Sequence, residues 1–309
     1  MRVLRYPLAA PPASAIAIGS FDGVHRGHQA LFARTRAEAD ARGLAAAALT
    51  FEPLPREFFA PREAPPRLTT LAERMAALAP CGLDILFAQR FDRAFAALSA
   101  EDFAQRLRRG HGARWVVVGA DFRYGARRAG DADTLRAAGR QLGFEVEVLP
   151  AVHDDAERIS STRVREHLAA GELAQAARLL GRPYSICGRV VHGAKRGRDM
   201  GFPTANVRLG RAKPALAGIY AVKCFGAATR GLEGVASLGI NPAVRHGGPA
   251  TLEAFLFDFS GDLYGRRLTV EFLKKLRDEA HFASMDALAA QIRRDCEEAR
   301  AFFATRARR

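Results

Sequence analysis

Apolar positions in the first half of the chain gather into short runs at 15–19, 45–50, 84–88, 115–119 and 144–149, parted by polar or glycine-bearing stretches. Runs of this length, apolar throughout, suit strands buried on both faces. Helical spacing lies between them. Phe32, Ala33 and Ala37 follow the first run, and Thr70 with Glu73 and Ser99 with Asp102 have the form of capping-box starts. This alternation predicts an α/β fold, a parallel sheet covered by helices, with ligands received in loops at the carboxyl ends of the strands.

Two short helices are predicted next, 162–169 closed by Gly171 and 172–180 closed by Gly181, with Pro183 beyond. From Tyr184 the pattern changes to short strands parted by Gly, Pro and Asn turns, among them 189–192, 219–225, 252–259 and 268–272. Such a set predicts a small antiparallel barrel or sandwich. Met285, Leu288, Ile292, Cys296, Ala299 and Phe303 then recur at three- and four-residue spacing, so a terminal helix should lay one face on that barrel. Two domains are expected, 1–183 and 184–309.

Composition narrows the function. The chain has 309 residues, 49% hydrophobic and 26% charged, which fits folded domains and excludes disorder as the main state. Lys and Arg number 47 against 33 Asp and Glu, a formal charge of +14 that favours anions: nucleic acid, a lipid surface or a phosphate-rich small substrate. The arginines form no stripe interleaved with aromatics, so nucleic-acid binding is not expected. Cys81, Cys187, Cys224 and Cys296 make no C-x-x-C pair, which argues for reduced structural thiols rather than zinc or redox chemistry. No apolar run approaches the ~20 residues of a membrane span. The Ala-rich start is interrupted by Pro7, Pro11 and Pro12, unlike a signal peptide, and a cytoplasmic location is expected.

The candidate chemistry falls into two groups. After the first strand comes GSFDGVHRGH, 19–28. A glycine-bearing turn from strand to helix, with Gly19, Phe21 and Gly27 in it, offers backbone N–H groups at a positive helix end where phosphate binds. It lacks the Walker pattern. Its cations would be His25 and His28, suited to attack on the α-phosphate of ATP, which needs positioned donors more than a covalent nucleophile. Alone, H-x-G-H also fits two ordinary loop histidines; its place after the first strand of an α/β pattern favours a ligand crevice. Further on, ISSTRVR (159–165) places Ser161, Thr162 and Arg165 at a helix start, either as a cap with solvated arginines or as a grip for the β and γ phosphates. VGADFRYG (118–125), with Asp121, contacts a base or a flavin, or merely turns.

The second group lies at the start of the barrel. GRVVHG (188–193) leads through Lys195 and Gly201 to Pro203-Thr204-Ala205-Asn206. The glycine and cation loop, with Gly193, can fold over phosphates, and Thr204 and Asn206 carry hard oxygens for Mg²⁺; a long hairpin is the competing explanation. Glu253, inside an apolar strand, is either solvated or a general base.

GSFDGVHRGH, TFEPLP (50–55), VGADFRYG and ISSTRVR, in that order, resemble the bacterial bifunctional riboflavin kinase/FMN adenylyltransferase (FAD synthetase) family over essentially the whole chain. GRVVHG, GFPTAN, the Glu253 strand and DLYG (262–265) resemble its kinase half. The resemblance implies a Rossmann-like nucleotidyltransferase domain followed by a riboflavin kinase-like barrel. It implies riboflavin, FMN and ATP as substrates, Mg²⁺ as cofactor, and FMN and FAD as products; separately, a monomer or weak homo-oligomer is expected. By it His25 and His28 serve adenylyl transfer, with Asp121 near the nucleotide and Ser161, Thr162 and Arg165 on the triphosphate. Thr204 and Asn206 hold Mg²⁺ and ATP phosphates, and Glu253 deprotonates the ribityl 5′-hydroxyl. Departures are Ser20 for a usual Asn or Thr, Tyr124 for a usual Phe, and Asn241-Pro242-Ala243 for a commoner R-P-T.

Overall fold

The computed structural model describes residues 1–5, 10–155, 157–193, 201–240 and 250–307. The chain forms two compact units, Met1–Pro65 with Arg74–Ser160, and Pro66–Glu73 with Ser161–Arg309.

The first unit contains β1 (Arg2–Leu4), β2 (Ser14–Ile18), β3 (Ala45–Glu52), β4 (Ile85–Arg90), β5 (Ala113–Gly119), the ribbon of β6 (Arg123–Tyr124) and β7 (Gly130–Asp131), β8 (Glu145–Leu149), and the ribbon of β9 (His153–Asp154) and β10 (Glu157–Arg158). Its helices are α1 (Arg26–Arg42), α2 (Pro55–Phe59), α4 (Arg93–Ala96), α5 (Ala100–Gly110) and α6 (Ala132–Leu142), with α3 (Leu71–Leu78) spanning the boundary of the two units. Six strands form a sheet in the order β1-β4-β3-β2-β5-β8, every neighbouring pair parallel. Alternate residues of β2 feed two cores, Ile16 and Ile18 on one face and Ala15 and Ala17 on the other, which is why the strand reads as an unbroken apolar run. The chain moves from β2 towards β3 on one side and later to β5 on the other, so the strand order reverses beside β2. In open α/β sheets a ligand crevice lies at such a point, outside the carboxyl ends.

The second unit opens with α7 (Ser161–Ala170) and α8 (Leu173–Leu180), the latter ended by Gly181 in the left-handed region at φ 74°. Strands β11 (Ser185–Val191), β12 (Thr204–Val207), β13 (Gly218–Phe225), β14 (Leu232–Ile240), β15 (Ala250–Leu256) and β16 (Arg267–Arg277) close into an antiparallel barrel in the order β11-β12-β15-β14-β13-β16. Of the two expected arrangements, the barrel is the one formed: β16 pairs with β11 as well as β13, leaving no free sheet edge. The last helix, α9 (Met285–Ala307), buries Cys296, Ala299 and Phe303 against Ile219, Ala221 and Val235. Met285 departs from the expected apolar stripe and is 53% exposed at the first turn of that helix.

Both anticipated caps form. The Thr70 amide donates to Glu73 Oε2 at 2.7 Å while Thr70 Oγ1 accepts from the Glu73 amide at 3.3 Å. Ser99 Oγ accepts from the Asp102 amide at 3.0 Å. Glu73 also accepts from the Cys187 amide at 2.7 Å and pairs with the buried Arg211, whose Nη1 donates to Leu68 O at 2.6 Å. This ties the short segment Pro66–Glu73 to the barrel unit.

Candidate active sites

In the first unit, β2 ends at Ile18 and α1 begins at Arg26, so the glycine and histidine motif forms the intervening turn and first helical turn. Phe21 and Val24 adopt left-handed φ of 50° and 48°, with Gly23 between them at 87°. Such a conformation costs a bulky residue ~1–3 kcal/mol, and complete burial of both side chains holds it in place. Gly19 is required by packing, since a Cβ there would lie 2.7 Å from the Phe21 ring.

His25 is the N-cap of α1, and its Nδ1 accepts from the His28 amide at 3.3 Å. The two imidazoles stack with centroids 3.6 Å apart, and Phe21 meets His28 edge-on at 5.3 Å. Gly27 leaves room for this stack: a Cβ there would sit 3.2 Å from the His25 ring. His25 is buried. His28 is partly exposed, but its Nδ1 is enclosed with no hydrogen-bond partner among the described residues. Burial, then the neighbouring His25 and Arg74, hold the His28 pKa well below the usual imidazole value, so the ring is neutral at neutral pH. The first turn of α1 carries no acidic residue to oppose an anion.

The register of β2 on β5, Ala17 beside Val117, brings Gly19 and Gly119 to the same end of the sheet. Asp121 follows Gly119 and pairs with Arg158 at 2.9 Å, both exposed. Tyr124 is buried against Phe103 and Phe122. Sequence reasoning missed Arg74, which is wholly buried and donates to Thr50 Oγ1 at 2.9 Å. No pattern distinguishes it from the many surface arginines. Ser161, Thr162 and Arg165 belong to the second unit, in the first turns of α7, and Arg165 Nε donates to Pro66 O at 2.6 Å.

In the barrel, β12 lies antiparallel to β15 with Asn206 opposite Glu253. Directly opposed residues share a sheet face, and so does Thr204, two positions from Asn206. Thr204 Oγ1 donates to Glu253 Oε2 at 3.1 Å. The alternative face, carrying Leu252, Ala254 and Leu256, fills the interior. Glu253 is thus on the outer face of the strand, half-buried rather than freely solvated. Gly193 packs on the Asn206 amide so closely that a Cβ would lie 2.3 Å from Nδ2. Gly201 has a left-handed φ of 83° with open space around it. Lys195 and the stretch 241–243 lie outside the described residues.

A cavity of about 650 Å³ is walled by Pro203, Thr204, Ala254, Phe259, Asp262 and Tyr264, so that of this cluster Thr204 lines it while Asn206 and Glu253 do not. The Tyr264 and His192 rings lie 3.9 Å apart beside it. A second hollow, about 790 Å³ at the amino end of the parallel sheet, is lined by Arg42, Arg114, Arg136 and Arg140 and contains no motif residue. Among the described residues no group of three or more His, Cys, Asp or Glu side chains could cage a metal. The oxygens of Thr204 and Asn206 suit instead a Mg²⁺ shared with substrate phosphates, since that ion keeps few protein ligands and takes hard oxygen donors.

A parallel sheet with H-x-G-H at its switch point, joined to a closed barrel carrying P-T-A-N beside a carboxylate, defines a two-module nucleotide-using enzyme. The FAD synthetase family model matches residues 8–163 and the riboflavin kinase model residues 180–303. The chain belongs to the bifunctional riboflavin kinase/FMN adenylyltransferase family. It is 47% identical to the protein of that name from Escherichia coli K12 over 289 residues, covering 93% of this chain and 92% of the relative. Identity to the Pseudomonas fluorescens protein is 47% over 293 residues, and to the Haemophilus influenzae protein 43% over 290, each covering 94% of both chains. A crystal structure from Streptococcus pneumoniae, described as a macrolide-efflux protein, superposes with a TM-score of 0.80 at 31% identity, covering 96% of this chain and 97% of that one. That description concerns transport; among the described residues of this chain no helix is long and apolar enough to cross a membrane.

Proposed function

We infer that this chain makes FAD from riboflavin in two ATP-dependent steps. Riboflavin and ATP give FMN and ADP; FMN and a second ATP give FAD and pyrophosphate. The observation that carries the reading is the presence of two differently built polar clusters, a stacked histidine pair at a helix mouth in one unit and a Thr–Glu pair on barrel strands in the other.

The two clusters suit the two nucleophiles. The ribityl 5′-hydroxyl of riboflavin is neutral, so its attack on the γ-phosphorus needs a base to take the proton, and Glu253 has that role. Thr204, by donating its proton to Glu253, keeps its oxygen lone pairs available to a cation. Thr204 and Asn206 would hold Mg²⁺, which when bound neutralises phosphate charge. Gly193 and Gly201 flank the stretch 194–200, and Lys195, outside the described residues, is assigned to the phosphates on the strength of its sequence.

FMN phosphate is already anionic at neutral pH. Its oxygen attacks the α-phosphorus and pyrophosphate leaves with the bridging oxygen, so no protein base is required. His28, neutral and enclosed at Nδ1, offers one N–H donor from Nε2 to the charge that develops on the α-phosphate oxygens. His25 acts beside it by capping α1 and fixing the ring stack. Gly19, Phe21 and Gly27 shape the turn, and Asp121 adjoins the nucleotide. Ser161, Thr162 and Arg165 are assigned to the triphosphate on the strength of their motif. In this reading 1–183 carries adenylyl transfer and 184–309 phosphorylation, in a cytoplasmic enzyme that needs no nucleic acid and works as a monomer or weak homo-oligomer.

The test is chromatography of flavins after incubation with riboflavin, ATP and Mg²⁺. FMN followed by FAD is the expected sequence of products; absence of either overturns the corresponding half of the proposal.

A further inference from the structure

The TFEPLP motif has no role in the two reactions as described, yet its first residue joins two parts of the adenylyl-transfer site. Arg74 is wholly buried, which is costly for a guanidinium unless it is hydrogen-bonded. Its Nη1 donates to Thr50 Oγ1 at 2.9 Å and to Phe51 O at 3.3 Å, and Nη2 lies 3.7 Å from Glu52 Oε2. Thr50, also fully buried, donates to Ser20 O at 3.1 Å. The direction of this relay is fixed. A guanidinium only donates, so the single hydroxyl proton of Thr50 is left for the Ser20 carbonyl. Ser20 is where the strained turn towards His25 and His28 begins.

We propose that Arg74 and Thr50 are positioning residues of adenylyl transfer, the relay from Arg74 through Thr50 to Ser20 O setting the backbone that carries His25 and His28. The inference rests on reading that turn as the adenylyl-transfer site. Besides holding the turn, Arg74 places a fixed positive charge near His28. Among the described residues His25 is stacked on the ring, Asp22 is buried within the same turn, and Glu52 Oε2 lies beside the guanidinium.

The experiment compares FAD formation from FMN and ATP in the full-length wild type, Thr50→Val, Thr50→Ser and Arg74→Met, with riboflavin phosphorylation measured in each. Misplacement of a catalytic group by ~1 Å costs up to about 100-fold. Thr50→Val is expected to lower kcat/KM for FAD formation by about 10- to 100-fold, chiefly in kcat, with phosphorylation unchanged. Thr50→Ser, which keeps the hydroxyl, should stay within about threefold of wild type on the same grounds. Arg74→Met should show the loss together with an acid limb moved to higher pH, because His28 is freed from a like charge.

A Thr50→Val enzyme as active as wild type overturns the inference. So does a Thr50→Ser enzyme as poor as the valine variant, or an unmoved acid limb in Arg74→Met. A wild type that makes no FAD overturns the underlying assignment and this inference with it, whereas an active wild type with an indifferent Thr50→Val overturns this inference alone.

Discussion

Gly193→Ala perturbs the kinase cluster through a single atom. Its backbone does not occupy the left-handed region, so alanine brings no conformational strain; the cost is steric. The added Cβ would lie 2.3 Å from Asn206 Nδ2 and 2.4 Å from Cγ and Oδ1, where ordinary contact begins at 3.4 Å. The amide must therefore withdraw by about 1 Å, which removes Asn206 from its place beside Glu253. Displacement on that scale is worth on the order of 100-fold in rate, about 2.7 kcal/mol of activation free energy. Initial rates of riboflavin phosphorylation, with ATP varied, measure the loss, and adenylylation of supplied FMN by the same preparation reports that the chain is folded. A variant that phosphorylates riboflavin within about threefold of wild type would show that the Asn206 amide is not part of the phosphate site.

Acid stability offers a second check. Burial lowers the pKa of His111 to about 4 and holds that of His28 well below the usual value. Both folded pKa values lie below the unfolded one, so the native state binds fewer protons and stability falls as pH drops through about 6.5, for His111 until about 4. His111 alone should remove about 2 kcal/mol between pH 7 and pH 5, read from denaturant midpoints and flattened by His111→Leu; a wild-type profile flat over that range contradicts its burial in the neutral form. Phe303→Ala empties the contact of α9 with the barrel and should cost ~3–5 kcal/mol, seen as a lower melting temperature, whereas an unchanged value would place α9 outside the barrel's cooperative unit. Chelation of divalent cations should stop both activities and added Mg²⁺ restore them; turnover of either reaction in excess chelator would remove the metal from that site.

Much of the architecture was legible because its strands obey simple rules. β2, β3, β4 and β5 are buried on both faces and so read as apolar runs, and glycine punctuation marks both short helices. β1 escaped notice because three residues carry no period, and β12 because T-A-N-V reads as ligand chemistry before it reads as a strand. β14 is interrupted by Gly234 and Gly239, where a Cβ would strike Phe255 O and the Glu279 carboxylate. The face of Glu253 was undecidable from sequence, since a small Ala254 hides the alternation; the barrel register decides it. The histidine pair is legible from spacing, but its stacking is not, and the low pKa of His28 comes first from burial, then from His25 and Arg74, the last of which no periodic signal marks.

The most direct test of two separate sites on one chain is complementation. His28→Ala should convert riboflavin to FMN and stop, while Glu253→Ala should adenylylate supplied FMN but leave riboflavin untouched. Mixed with riboflavin, ATP and Mg²⁺, the two variants together should restore FAD through FMN released from one molecule and taken up by the other. Loss of both reactions in either folded variant would contradict the account.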